Sequence, residues 1–90
     1  MVIKRKAMAG TLESNDVLVQ VSPGGEGLVI EVQSIVLRQF GEELKRTARE
    51  TALEMGVQAG VIQLNDRGAL ECTVRARVET ALLRAKEEDK

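Results

Sequence analysis

The segment AGTLESNDVLVQV (residues 9–21) contains a cluster of four polar residues, ESND, between two runs that are typical of β-strands. The second run, VLVQV, alternates so that its three valines share one face, as a half-buried strand requires. The first run, at residues 7–13, is weaker because it is rich in small residues. Ser, Asn and Asp favour turns because their side chains bond nearby backbone, and Asn15 tolerates a positive φ angle. The stretch therefore predicts two strands joined by a turn that contains Ser14.

Two further strands are predicted, at residues 28–32 and 57–64. The loop SPGGEG at 22–27 is short enough to join 17–21 and 28–32 as an antiparallel hairpin. This glycine-rich loop precedes a strand and lacks the lysine of a phosphate-binding loop, so it does not indicate a nucleotide site. If the strands at 28–32 and 57–64 lie parallel, the helix between them is expected to cross over right-handed.

Two helices are predicted, each with one apolar stripe. The first runs from an N-cap at Ser34 to Met55, where Gly56 follows as a C-terminal cap. The second runs over residues 69–85, after a turn at 65–68. The stripe of the first helix is Leu37, Phe40, Leu44, Ala48, Thr51 and Met55. The stripe of the second helix is Leu70, Val74, Val78, Ala81, Leu82 and Ala85.

Two helices with one apolar stripe each need one apolar sheet face to cover. The order β-β-β-α-β-α therefore predicts an α+β fold, a two-layer sandwich in which both long helices lie on one face of a small, mostly antiparallel sheet. The 90 residues predict a single domain, residues 1–90, with an ordered core at 7–85 and a charged tail at 86–90.

Composition excludes several classes of function. The formal net charge is -1 and Phe40 is the only aromatic residue, which argues against nucleic acid as a partner. No segment approaches the length of a membrane span, so no membrane association is expected. With one cysteine and no histidine, neither a zinc site nor a Ser-His or Cys-His catalytic pair can be assembled within the chain, and no metal site is expected. The single cysteine suits a reducing cytoplasm, where we expect the protein to reside.

Four side chains remain as candidates for chemistry. Ser14 is either an ordinary turn residue, the interpretation that composition alone favours, or an exposed hydroxyl that serves as a covalent attachment point. Cys72 is expected to be a half-buried small hydrophobe opposite the buried stripe of the second helix, because no cation or base is placed beside it. Arg75 and Arg77 are expected to be solvated or paired with Glu71 and Glu79.

Two segments together resemble the citrate lyase acyl carrier proteins, the γ chains of that enzyme. AGTLESNDVLVQV resembles the N-terminal signature of the family, and VIQLNDRGALECTVRARVETALLRA resembles its C-terminal signature. Phe40-Gly41 also fits, and the resemblance covers residues 7–85. The sequence departs at Glu71, where aspartate is expected, and at Asn15, where glycine is frequent.

The resemblance implies that Ser14 carries 2'-(5''-phosphoribosyl)-3'-dephospho-CoA, joined by a phosphodiester that a prosthetic-group transferase makes. The thiol of this group would bear acetyl and citryl groups between the citrate lyase alpha (transferase) and beta (lyase) subunits, which convert citrate to oxaloacetate and acetate. The chain itself would be a carrier with no catalytic residues. A compact domain of this size is also expected to have no pocket to spare for catalysis.

Two alternatives remain open. The chain could be the related carrier of malonate decarboxylase, which uses the same kind of group on a serine. It could also be a small structural or binding subunit without a prosthetic group, in which Ser14 only turns the chain.

Overall fold

The computed structural model describes residues 1–34 and 41–86. These residues form four strands, β1 (Ala7–Gly10), β2 (Val17–Ser22), β3 (Leu28–Ser34) and β4 (Gly60–Asp66), and two helices, α1 (Gly41–Glu54) and α2 (Glu71–Lys86). The predicted element order and the two-layer α+β class are confirmed. Ser34, the predicted N-cap, is the last residue of β3, and the start of the predicted helix lies outside the described residues. Leu37, Phe40 and the tail after Lys86 lie outside the described residues.

The sheet is mixed, in the order β1-β2-β4-β3. β1 and β4 both pair antiparallel with β2, while β3 pairs parallel with β4. Two of the three pairings are therefore antiparallel, as predicted for the sheet as a whole. The predicted hairpin between β2 and β3 is wrong, because β4 lies between these two strands.

The segment after β2 instead arches over the start of β4. The amide of Gly60 donates a hydrogen bond to the carbonyl of Gly27 at 3.1 Å. A Cβ atom on Gly24 would lie 3.1 Å from the Cα of Gly60, so the two backbones approach closely. Glycine allows this approach because it has no side chain. Gly24 thus permits a close crossing of the segment over β4, and the loop does not form a two-strand turn.

The core lies between the sheet and the helices. Cross-strand pairs Val19–Leu64 and Val21–Ile62 place β2 and β4 at its centre, since all four side chains are at most 2% exposed. The buried helix residues are Leu44, Thr47, Ala48, Thr51, Ala52, Val74, Val78, Ala81, Leu82 and Ala85. The predicted burial of Leu70 is wrong: it is 70% exposed because it precedes the first turn of α2.

The boundaries of β4 differ from the prediction in a way that matters for the site. Asn65 and Asp66, which were predicted in a turn, continue the strand and pair with Leu18 and Val17 of β2. Their polarity suggests a turn, but pairing with strands on both sides satisfies their backbone groups. The predicted cap at Gly56 is confirmed by its φ of 79°. Ile3, which precedes β1, is also buried in the core.

Candidate functional site

Ser14 occupies the corner of a tight turn between β1 and β2. The amide of Asp16 donates to the carbonyl of Glu13 at 3.2 Å, which closes a four-residue turn. Asn15 adopts a φ of 66°, as the third residue of a type II turn must. Ser14 is therefore the second residue of the turn and its side chain is exposed. Within the described part of the chain, its hydroxyl makes no hydrogen bond. The predicted turn is confirmed, and Asn15 adopts the positive φ that it was expected to tolerate.

The turn is joined to the end of β4 by a bulge. The amide of Asn15 donates to the carbonyl of Arg67 at 2.8 Å, and the amide of Arg67 donates to the carbonyl of Asp16 at 2.9 Å. Asn15 and Asp16 thus oppose the single residue Arg67. Asn15, the first of the two, is in the left-handed region, as in a G1 bulge. This arrangement explains why glycine suits position 15 and why asparagine, which tolerates that conformation, can replace it.

Asp16 anchors the turn to α2. Its carboxylate accepts hydrogen bonds from Arg77 Nε at 3.1 Å and Arg77 Nη2 at 2.9 Å. The hydroxyl of Thr11 donates to the same carboxylate at 2.7 Å, and the amide of Val17 donates to it at 2.8 Å. The bonds from Arg77, followed by that from Thr11, lower the pKa of Asp16 from 3.8 to about 2. The carboxylate is therefore ionised at neutral pH and holds the turn against the helix.

Gly10 allows this anchor to form. Its φ is 93°, and a Cβ atom there would lie 1.8 Å from the carbonyl oxygen of Val17 and 3.3 Å from Arg77 Cδ. Any larger residue would collide with the β2 backbone beside the Arg77 side chain. Glycine is thus required at position 10, where the chain leaves β1 for the turn.

A second carboxylate, Asp66, lies buried next to the bulge. It is 2% exposed, accepts a hydrogen bond from the Ser34 hydroxyl at 3.0 Å and accepts another from the amide of Ala69 at 3.0 Å. These contacts tie the ends of β3 and β4 to the chain that leads into α2. The turn at Ser14 therefore sits on a rigid base, since its bulge partner Arg67 follows directly.

A cleft of about 310 Å³ lies beside Asp66, between the first turns of α1 and α2. Its walls include Leu44, Thr47 and Val74 together with the carboxylates of Glu43 and Glu71. This cleft does not test the expectation that the domain has no pocket to spare for catalysis, which stays a prediction. The hydroxyl of Thr47 in α1 donates a hydrogen bond to the carboxylate of Glu71 in the first turn of α2 at 3.4 Å, which links the two helices beside the cleft.

The other candidate side chains lie on α2 and are not brought to Ser14, with one exception. Cys72 is an exposed free thiol and not the half-buried residue that was predicted, because it lies on the solvent side of the first turn. Arg75 pairs with Glu54 of α1, so its expected pairing within α2 is also wrong. Arg77 is the exception, since it binds Asp16. No sequence spacing indicates either contact, because each joins residues of different elements.

Arg67 and Asp66 were missed because both were assigned to a turn.

Within residues 1–34 and 41–86, no group of acidic or cysteine side chains is placed to hold a metal ion. Neither described helix is both long and apolar enough to cross a bilayer. The candidate site therefore consists of Ser14, the bulge and the Asp16–Arg77 anchor.

Residues 4–85 match the acyl carrier family model described as malonate decarboxylase delta subunit (MdcD). The citrate lyase acyl carrier protein of Pectobacterium atrosepticum is 46% identical over 85 residues, 94% of this chain and 88% of the relative. That of Escherichia fergusonii is 47% identical over 89 residues, 98% of this chain and 92% of the relative. A chain in the crystal structure of a Pseudomonas malonate decarboxylase hetero-tetramer in complex with malonate superposes with a TM-score of 0.77 at 26% identity. That match covers 94% of this chain and 88% of the other.

Proposed function

This chain belongs to the citrate lyase acyl carrier protein family, and on that premise we propose that Ser14 is the attachment site of its prosthetic group. As a member of the family, the chain is a carrier subunit and not itself a catalyst. The single observation that carries the proposal is the position of Ser14 at the corner of a type II turn, with its hydroxyl exposed and without a hydrogen-bond partner in the described structure. A modifying enzyme must reach this oxygen from outside.

The group proposed is 2'-(5''-phosphoribosyl)-3'-dephospho-CoA, linked to the serine oxygen by a phosphodiester. The residues around Ser14 fit such a group in two respects. The convex turn leaves space for a bulky substituent, and the Arg67 side chain across the bulge has a buried Nε without a hydrogen-bond partner. When attached, the group supplies a terminal thiol on which acyl groups are carried.

The chain's own part is to hold the attachment point. The Asp16–Arg77 anchor and the bulge fix the turn to α2 and β4. The base of the arm, meaning the prosthetic group proposed on Ser14, therefore has a defined position and direction. A tethered acyl group can then visit two partner active sites without dissociating, which raises its effective concentration at each. We propose these partners to be the citrate lyase alpha (transferase) and beta (lyase) subunits in the cytoplasm, with residues 1–90 acting as one carrier domain.

Cleavage of the acyl group should depend on the partner chains. It needs a positioned base and groups that stabilise developing negative charge in a water-poor site. Ser14 stands on an exposed turn, where water cannot be excluded.

Reconstitution tests this assignment. Purified, modified and acetylated carrier is assayed for oxaloacetate formation from citrate, first alone and then with the two partner subunits added singly and together. Activity is expected only with both partners. Ser14→Ala carrier should fail to restore it, whereas Cys72→Ser carrier should restore it, because Cys72 is not the acyl-bearing thiol. Oxaloacetate from the carrier alone, or full activity with Ser14→Ala, would contradict the proposal.

A second candidate is the carrier subunit of malonate decarboxylase, which the description of the family model and the superposed structure favour. The higher identity to citrate lyase carriers, 46% against 26%, favours citrate. The same carrier assayed with malonate decarboxylase partner subunits separates the two candidates, since only one partner set should give turnover.

A further inference from the structure

Arg67 lies directly across the backbone from the turn that carries Ser14. Its amide and carbonyl are bonded to Asp16 and Asn15, the two residues that follow Ser14. The two hydrogen bonds of the bulge place Arg67 opposite Asn15 and Asp16, and hydrogen-bonded antiparallel neighbours have Cα atoms about 5.5 Å apart. The Arg67 side chain therefore starts within one residue pair of the Ser14 attachment point.

Within residues 1–34 and 41–86, the guanidinium of Arg67 has no hydrogen-bond or ion-pair partner. Its Nε atom is buried and has no hydrogen-bond acceptor. Among the residues that the structure describes, Arg67 forms no ion pair, although Arg46, Arg75 and Arg77 each have one. A buried donor without an acceptor is unfavourable, because the hydrogen bond that it made to water in the unfolded chain is not replaced. An arginine in this state is suited to an anionic acceptor that arrives later.

The charges around the turn indicate which anion that is. Glu13 and Asp16 flank Ser14, and Asp16 is already matched by two bonds from Arg77. A phosphodiester on Ser14 would add a negative charge next to Glu13, which is unfavourable unless a cation lies close. Arg67 is placed to supply that charge, and its planar fork of donors matches phosphate oxygens.

We propose that Arg67 binds the phosphodiester that links the prosthetic group to Ser14, and so orients the base of the arm. The proposal rests on the proposed function, because it needs the group on Ser14. It makes Arg67 a positioning residue whose buried Nε–H becomes hydrogen-bonded only in the modified protein. The contact would direct the arm along the β4 side of the turn.

The test compares unmodified and modified protein labelled with ¹⁵N-arginine, after intact mass has shown the state of each sample. The Nε–H resonance of Arg67 should move on modification. That of Arg77, already bonded to Asp16, should stay in place and serves as an internal control. The ³¹P resonance of the phosphodiester should shift in modified Arg67→Gln but not in modified Arg49→Gln, which removes the same charge from an exposed position on α1.

The outcomes separate this inference from the proposed function. If Ser14 gains the mass of the group while the Arg67 resonance and the ³¹P resonance of Arg67→Gln are unchanged, Arg67 does not bind the phosphodiester, although the function stands. If Ser14 never gains the mass, both fail. Should Arg67→Gln not fold, Arg67→Lys retains the charge but not the fork and should give a partial ³¹P shift. The comparison of unmodified and modified wild-type protein needs no variant.

Discussion

Asp16 and Arg77 meet through two charge-assisted hydrogen bonds of 3.1 and 2.9 Å although 61 residues separate them in the chain. The Asp16 side chain is 14% exposed and that of Arg77 is 40% exposed, so the pair lies at the edge of the core. It joins the turn that carries Ser14 to the middle of α2. The attachment point is therefore held by a tertiary contact and not by the turn sequence alone.

Replacing Asp16 by Asn should destabilise the domain by about 1–2 kcal/mol, because the bonds to Arg77 lose their charge. Urea denaturation measures this change, and a double-mutant cycle with Arg77→Gln should give a coupling of about 1 kcal/mol. Glu50→Gln is the control: it breaks the exposed Arg46–Glu50 pair and should cost at most about 0.5 kcal/mol. Equal effects of Asp16→Asn and Glu50→Gln would show that the anchor contributes no more than a surface pair.

The same carboxylate predicts a dependence of stability on pH. The pKa of Asp16 is about 2 in the folded protein and 3.8 is its ordinary value, so the folded state favours the ionised form. Its contribution to stability is fully present above the unfolded value and is lost as pH falls from 3.8 towards about 2. Denaturation of wild type and Asp16→Asn across this range should therefore give a difference that shrinks with falling pH. A difference that stays constant would contradict the lowered pKa.

Gly10→Ala should unfold or severely destabilise the protein, by about 3 kcal/mol or more, because the added Cβ meets the Val17 carbonyl and the backbone must keep a positive φ. Gly25→Ala is a matched control, since a Cβ there has no atom within 4 Å. Thermal denaturation of both variants measures the contrast. A stable Gly10→Ala protein would mean that β1 does not enter the turn as described.

Asn15→Gly should be tolerated, whereas Asn15→Val should cost about 1–2 kcal/mol, because a β-branched residue is strained at a φ of 66°. Both variants lose the asparagine side chain, so the difference between them isolates the backbone conformation. Urea denaturation of the pair is the measurement. Equal stability of the two variants would argue against the type II turn around Ser14.

The secondary structure could be predicted because its patterns are local. Alternation in VLVQV and the three- and four-residue spacing from Val74 to Ala85 each depend on one element and its buried face. The positive φ of Asn15 was predictable from residue chemistry for the same reason. Leu70 was misplaced because the helical pattern was extended to a residue that precedes α2. Cys72 lies opposite the buried stripe as predicted, but it is exposed and not half-buried.

The pairing of the strands could not be predicted in this way. A short loop between β2 and β3 favours a hairpin, but a helical crossover from β3 lets β4 pair with both strands and bury Ile62 and Leu64 at the centre. The contact of Arg77 with Asp16 and the backbone pairing of Arg67 with the turn depend on how the strands and α2 are assembled. Ser14 and its turn could therefore be predicted from the sequence, whereas the residues that hold the turn in place could not.

The most direct test is the intact mass of the carrier after incubation with its prosthetic-group transferase and the activated group. Wild type and Ser22→Ala, a serine-to-alanine change at the far end of β2, should both gain the mass of one phosphoribosyl-dephospho-CoA. Ser14→Ala should fold with the same circular dichroism spectrum and gain nothing. A folded Ser14→Ala protein that still gains the full mass would contradict the assignment of Ser14 as the attachment site.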